Sequence, residues 1–322
     1  MNILFFGYGS HARKLKKCCE DYFKFSTKPK FIGIRRSKIK ADIEIFNSIE
    51  EVLSIFSEIN CVFISANNSS HLDIFKKCIQ KKIKFIYVEK PAIGVQDFFE
   101  NLGNEKQDLI KYIQVGYHMS YAEAFLQLRE IINNKKFGEL IRLDMFLGHG
   151  LAFKEGFEES WRAKEKNALI DTVLSHLINL SINLNNSDTF KDFKFISKLN
   201  EKNNKKDTEH LSFNNINGAL FSLTSSWGSP LEKSVKAYFS NGIWEYNFKE
   251  LIIKYPRDNF NSDGFFITPI KNIRKCEFLG IKPSVDHFLD QVIKNKYKKN
   301  QFNNSFYTNK ILEEVKKKNN ED

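Results

Sequence analysis

The chain has 322 residues, 42% hydrophobic and 28% charged, with a formal net charge of +11 and a mean hydropathy of −0.42. That length exceeds what one hydrophobic core usually serves and the composition is that of a globular chain, so two domains are expected and disorder is not the default. No apolar run nears the roughly 20 residues that cross a bilayer, no leader-like stretch opens the chain, and the lysines cluster with asparagine rather than with interleaved aromatics. A cytoplasmic protein is therefore expected, with neither membrane nor nucleic acid as partner.

Residues 2–6 form a short apolar run that ends at Gly7, and residues 13–20 continue as a helix. A second strand is expected at 31–34, and Ser48 with Glu51 offers a capping box for a helix to about Phe56. Strand-like 61–65, helical 70–80, strand-like 85–88, a helix near 96–102 and a strand at 112–115 complete the alternation. Strands separated by helices over about 115 residues imply an α/β fold with a doubly wound parallel sheet.

After Gly116 the pattern changes. A helix over 121–133, a strand over 140–147 and a helix over 169–184 precede strand-like runs at 193–198, 210–213, 219–226, 235–239, 243–248 and 250–255. Asn217-Gly218 and Asn241-Gly242 mark hairpins. A closing helix over 284–294 and a helical tail from Asn309 follow. The expected organisation is residues 1–118 as one domain and 119–322 as an α+β domain with an open, mainly antiparallel sheet. The five cysteines are odd in number and lack metal-ligand spacing, so reduced thiols and no metal are expected.

Gly7-x-Gly9-x-x-Ala12 sits between the first strand and the first helix, where a Rossmann fold places its dinucleotide turn. The first glycine makes the bend, the second lets backbone approach a diphosphate, and the small third residue lets helix and strand pack. Ser10 and His11 open the helix whose N-terminus would meet the phosphates. At the end of the second strand a carboxylate would bind the ribose hydroxyl of NAD; Arg35 and Arg36 stand there instead and point to NADP over NAD.

Further motifs resemble the family of glucose-fructose oxidoreductase, inositol dehydrogenase and MocA over nearly the whole chain. Glu89-Lys90-Pro91, after the fourth strand, is similar to that family's Glu-Lys-Pro signature. Ser65-Ala-Asn67-Asn68-Ser-Ser-His71 resembles its cofactor-flanking segment, and Trp161-Arg162 with the run from Ala168 to Leu180 resembles the helix that carries its catalytic histidine. The resemblance implies a nicotinamide-dependent oxidoreductase of a sugar, nucleotide sugar or cyclitol. In it Ser65, Asn67, Asn68, His71 and Glu89 line the cofactor, and Lys90 faces both cofactor and substrate. Three departures stand out. Thr172 occupies the place of the family's aspartate one helical turn before the histidine, with Asp171 a residue earlier. Residues 164–167 lack the usual glycines, and the segment after Gly116 lacks an arginine.

The chemistry of the helix over 169–184 leads the same way without any family. Apolar residues cover most of its circumference, while Thr172, Ser175, His176 and Asn179 recur three and four residues apart, with Asp171 beside them. Alcohol oxidation needs a base that titrates near neutral pH, and His176 is the candidate. Lys90, at the carboxyl end of a parallel strand, is the candidate to hold the substrate oxygen. Asp171 or Thr172 would orient His176 or hold a substrate hydroxyl; Tyr117, His118, Trp161, Arg162 and Asn179 are candidate substrate contacts. Two other functions share this scaffold: a non-catalytic dinucleotide sensor, and a glycosidase that works by transient oxidation with NAD. The uncovered face of the second sheet suggests a homodimer or homotetramer.

Overall fold

A computed structural model of the protein describes residues 1–35, 41–103, 111–185, 190–199, 206–254, 262–264, 271–295 and 302–321. The chain divides into two compact units, Met1–His118 with Gly280–Asn309, and Met119–Leu279 with Lys310–Asp322. Segment 280–309 thus belongs to the first unit, where the sequence alone suggested one unbroken domain over 119–322.

The first unit contains strands β1 (Asn2–Phe6), β2 (Lys30–Ile34), β3 (Glu44–Phe46), β4 (Cys61–Ile64), β5 (Phe85–Val88) and β6 (Tyr112–Val115). They form one parallel sheet in the order β3-β2-β1-β4-β5-β6. Its helices include α1 (Ser10–Tyr22), α2 (Ile49–Ile55), α3 (His71–Gln80) and α4 (Val95–Glu100). Side chains alternate across the strands, so each apolar run feeds two cores. Leu4, Phe6, Val62, Ile64, Ile86 and Val88 pack with α2, α3 and α4 on one face. Ile3, Phe5, Cys61, Phe63 and Tyr87 pack on the other with Leu15 and Cys19 of α1.

That second core explains the return of the chain. Val285, Phe288 and Leu289 join it, and Phe288 packs edge-on against Phe63 at 5.2 Å and Tyr87 at 5.5 Å between ring centres. Burying one such phenyl ring contributes about 1.5–3 kcal/mol. Buried Gln114 adds direction by donating to the Ser284 carbonyl at 2.9 Å.

Among the described elements of the second unit, α5 (Glu123–Asn133), α6 (Trp161–Lys164) and α7 (Ser175–Asn185) accompany an eight-stranded sheet. The strands are β7 (Leu140–Gly148), β8 (Phe190–Leu199), β9 (Lys206–Asn215), β10 (Leu220–Ser226), β11 (Glu232–Phe239), β12 (Gly242–Tyr246), β13 (Glu250–Lys254) and β14 (Lys271–Lys275). Their order is β14-β13-β12-β11-β7-β10-β9-β8, antiparallel throughout except for the parallel pair β7 and β10. One face is covered by helix: Phe125 of α5 stands edge-on to Tyr246 at 5.6 Å. The opposite face carries Asp144, Ser222, Thr224, Lys236 and Glu245 around a hollow of about 330 Å³.

Two later helices complete the described chain, α8 (Ile281–Ile293) in the first unit and α9 (Phe302–Glu321), whose residues from Lys310 onward belong to the second. The last turns of α9 are tied down by polar contacts within the second unit. Lys206 Nζ donates to Asn319 Oδ1 at 2.7 Å, Asn319 Nδ2 donates to Asn167 Oδ1 at 3.0 Å, and Ser197 Oγ lies 2.9 Å from Asn319 Oδ1 and 2.5 Å from Glu209 Oε2. Burial pushes the Glu209 carboxyl up to about 7, against the Ser197 hydrogen bond and the Lys206 charge. A protonated Glu209 can donate to Ser197, which then donates to Asn319, one hydrogen per link. Four cysteines are buried and Cys18 is half-buried, all of them as free thiols. No helix among the described residues is long and apolar enough to cross a membrane.

Candidate functional site

The strand order of the first unit reverses at β1, and ligands in open α/β sheets bind in the crevice at the carboxyl ends of the strands at such a switch point. Gly7 stands there with φ +79°, and a Cβ on it would come within 2.5 Å of the Ala66 Cα. Only glycine lets the β4 loop approach so closely. Gly9 differs, because a Cβ there would meet nothing closer than 3.9 Å. The space it leaves empty belongs to the crevice. Ala12 is fully buried in the α1 core, as helix-to-strand packing requires.

Gly9 caps α1 without a side-chain hydrogen bond, and the first turn of the helix carries no acidic residue. Its leading N–H groups are therefore suited to an anion, with no acidic side chain from the turn itself to meet them. The crevice beside it holds about 690 Å³ and is lined by Gly7, Gly9, Arg35, Ser48, Asn67 and Lys77 among others. Ser10, Asn67 and Asn68 are exposed, while the Ser65 hydroxyl donates to the Phe6 carbonyl at 3.2 Å. Arg35 Nη1 donates to the Tyr8 carbonyl at 2.7 Å, which fastens part of the guanidinium to the glycine turn. Arg36 lies outside the described residues.

These features fit a dinucleotide: a glycine cradle that a Cβ would fill, an uncapped helix N-terminus and an open cleft of suitable size. The capping box is realised in part. Ser48 Oγ accepts from the Glu51 N–H at 3.2 Å, but the Glu51 carboxylate accepts from Asn47 rather than from Ser48. This turn walls one side of the cleft.

Glu89, Lys90 and Pro91 follow β5, with a cis bond between Lys90 and Pro91. Two successive carbonyls pin the loop: Pro91 O lies 3.3 Å from His71 Nδ1, and Ala92 O accepts from Asn309 Nδ2 at 3.1 Å. His71 is 1% exposed and its Nε2 lies 3.0 Å from the Ala66 carbonyl, so its ring braces two loops from within the protein. Burial pushes its imidazole below the ordinary value, so the neutral ring donates through one nitrogen only. Lys90 is half-buried.

Glu89 Oε1 lies 2.8 Å from His11 Nε2, with side-chain exposures of 12% and 38%. Burial opposes its charge, yet the His11 hydrogen bond and the nearby positive groups hold its carboxyl below the usual range. Gly116 makes room for it, since a Cβ there would stand 2.8 Å from Glu89 Oε2. His118 is close enough to feel that charge, but burial wins and pushes it down to about 4. Tyr117, a candidate substrate contact, is 3% exposed and packs into the core beneath α2 and α3.

In the second unit the sequence predicts one regular helix over 169–184. Instead, Ile170–Leu174 form a π-turn, in which the Ser175 N–H reaches back to the Ile170 carbonyl. A π-turn takes one extra residue per turn, and such turns recur at functional sites. Asp171 lies five residues before His176 and Thr172 four, and the π-turn ends at Leu174 ahead of the histidine. The predicted polar stripe divides accordingly. Ser175 is fully buried and bonds back to the Asp171 carbonyl at 2.7 Å; Thr172 bonds back to Ala168 O at 2.5 Å. Asn179, 3% exposed, accepts from Ser120 Oγ at 3.0 Å. Asp171, Thr172 and His176 remain half-buried.

Asp171 Oδ1 pairs with Lys316 Nζ at 2.5 Å, with exposures of 17% and 18%. Sequence reasoning missed Lys316, and nothing local could have revealed a partner 145 residues away. It also missed Gly116, for which a glycine directly after a strand was a usable sign of close approach. Arg162 is exposed on α6; the Trp161 side chain lies outside what the structure describes.

Strand order and glycine turn define a doubly wound dinucleotide-binding fold followed by an α+β unit, the architecture expected from the sequence. Solved structures of nicotinamide-dependent oxidoreductases match it over the whole chain. Levoglucosan dehydrogenase in complex with NADH has a TM-score of 0.77 at 12% identity, covering 100% of this chain and 97% of its own. An oxidoreductase from Agrobacterium radiobacter in complex with NAD+, L-tartaric acid and magnesium has a TM-score of 0.76 at 12% identity, covering 99% and 96%. UDP-N-acetylglucosamine 3-dehydrogenase GnnA from Acidithiobacillus ferrooxidans has a TM-score of 0.74 at 15% identity, covering 98% and 96%. No protein-family model matches the chain, and no curated protein matches it by sequence. The dinucleotides in these complexes are NAD+ and NADH, so they lend no support to the NADP preference drawn from Arg35 and Arg36.

Proposed function

We propose that this protein is a dehydrogenase or reductase that uses NAD or NADP to interconvert a secondary alcohol and a ketone on a sugar, nucleotide sugar or cyclitol. The observation that carries the reading is the uncapped N-terminus of α1 behind Gly7 and Gly9, opening on a cleft of about 690 Å³. Sugar-like ligands are supported by neighbours of the same fold, one of which is levoglucosan dehydrogenase in complex with NADH and L-sorbose. The nicotinamide ring supplies the hydride acceptor or donor.

The protein supplies orientation and proton handling. His176 takes the hydroxyl proton as the alcohol carbon loses its hydride, and Lys90 holds the oxygen on which charge changes. Asp171 or Thr172 orients that ring or holds a neighbouring hydroxyl, and Arg162 contributes to substrate selection. A second copy of the chain covers the open face of the eight-stranded sheet, which light scattering of the purified protein tests.

The deciding experiment is a panel of nucleotide sugars, free sugars and inositols, followed by cofactor absorbance with NAD and with NADP. Lys90→Met and His176→Ala should each lower turnover by about 10²–10⁴-fold while dinucleotide affinity changes less than about threefold. Undiminished turnover in both variants removes the assignment. Dinucleotide binding without turnover on any of the panel would favour a sensor, and sugar release without net cofactor change would favour a glycosidase.

A further inference from the structure

We propose that His11 couples dinucleotide binding to proton uptake: its imidazolium form, held by Glu89 beside the uncapped start of α1, is the state that receives the diphosphate. This rests on the dinucleotide-binding reading above and adds a linkage to it.

Three features lead there. First, the Glu89 carboxylate is boxed in, 12% exposed and pressed against the place where Gly116 has no side chain, so it needs a cation within reach. His11 Nε2, at 2.8 Å, is the group that meets it. Second, an imidazolium in the first turn of a helix faces the positive end of the helix dipole, which is unfavourable unless an anion is added. Glu89 is the anion that meets the imidazolium, and since the first turn of α1 contains no acidic residue and Gly9 offers no capping side chain, the helix N–H groups can still take a second one. A diphosphate over these N–H groups would supply it.

Third, the surrounding charges leave Glu89 as the group that decides the protonation of His11. Burial works against the imidazolium, but the Glu89 hydrogen bond and charge outweigh it and raise His11 above its ordinary value. Lys14 on the same helix and Lys90 after β5 oppose protonation; His118 after β6 is kept neutral near pH 7 by its burial. With Glu89 ionised, the pair is neutral when His11 is protonated and carries one negative charge when it is not. An incoming diphosphate is repelled by the second state, so binding shifts His11 toward the first.

Calorimetric titration of the full chain with ADP-ribose and with NADH tests this, from about pH 6 to about pH 9, in pairs of buffers with different heats of ionisation. ADP-ribose lacks the nicotinamide ring and isolates the diphosphate contribution. The expected result is little proton uptake at the acid end, rising toward one proton per site once the free protein loses its His11 proton. Over that range Kd should rise by up to about tenfold per pH unit. His11→Asn, which removes the titrating ring, should abolish the uptake and flatten the Kd profile, and the loss of the cation beside Glu89 should lower the melting temperature without restoring either signal. Zero uptake in the parent protein, or uptake that persists in His11→Asn, overturns the proposal alone. Absence of binding at every pH overturns the functional reading as well.

Discussion

The two units build their candidate sites from different material. In the first, backbone does most of it: two glycines, a helix start, and the carbonyls of Pro91 and Ala92 that pin the Lys90 loop. In the second, side chains do it, arranged along one helix by a π-turn and paired with a residue from the far end of the chain. Backbone sites depend on what is absent at a few positions and tolerate little addition there. Side-chain sites depend on pairings, which can be removed and partly replaced.

The strongest way to break that contrast is Gly7→Val. A branched side chain at φ +79° would be driven into the Ala66 backbone, which has no side-chain freedom with which to yield. Dinucleotide affinity should fall by roughly a hundredfold or more and stability by about 2–4 kcal/mol, read by titration and by denaturant melts. Wild-type affinity in this variant would mean that the turn does not form the site. Gly116→Ala should be milder, because the atom in the way is the end of the Glu89 side chain, which can swing. We expect a cost of about 1–2 kcal/mol and roughly tenfold in kcat/KM, with Glu89 displaced from His11.

The same contrast governs what could be read from the sequence. Buried parallel strands appear as apolar runs, so β1, β2, β4, β5 and β6 were legible, and the glycine spacing located the turn. The three-residue edge strand β3 was not, nor was β14, whose residues are all exposed and carry no alternation. In the second unit the helix around His176 was legible from its apolar residues, but its π-turn was not. A π-turn has no spacing signature of its own, so the apolar pattern of 169–184 reads as one regular helix through Asp171 and Thr172. The assignment of α8 to the first unit was equally hidden, since Val285, Phe288 and Leu289 state that one face is buried without stating against what.

A pairing test sharpens the second half of the comparison. Lys316→Met leaves Asp171 mostly buried without its cation and should cost about 1–3 kcal/mol, less than a fully enclosed pair because both groups keep some solvent. Adding Asp171→Asn should restore part of that loss, giving a positive coupling in a double-mutant cycle. Additive effects would show that the ion pair contributes nothing to holding α9.

The smallest effect concerns how each unit answers pH, and here the two have opposite signs. His118 in the first unit is pushed down to about 4. Between the ordinary histidine value and that point the unfolded chain binds more protons than the folded one, so the contribution is present above about pH 6.5 and lost as pH falls toward 4. Glu209 in the second unit is pushed up to about 7. There the folded chain binds more protons, so the contribution is full below the unfolded value of about 4.5 and lost as pH rises through 7. His118→Asn should flatten the acid limb of a stability profile, and Glu209→Gln the limb between about pH 4.5 and 7, since the amide keeps a donor for the Ser197 chain at every pH. Local hydrogen exchange should assign each limb to its own unit; a Glu209→Gln profile that still falls toward neutral pH would mean that the Ser197 and Asn319 chain does not hold a proton on that carboxyl.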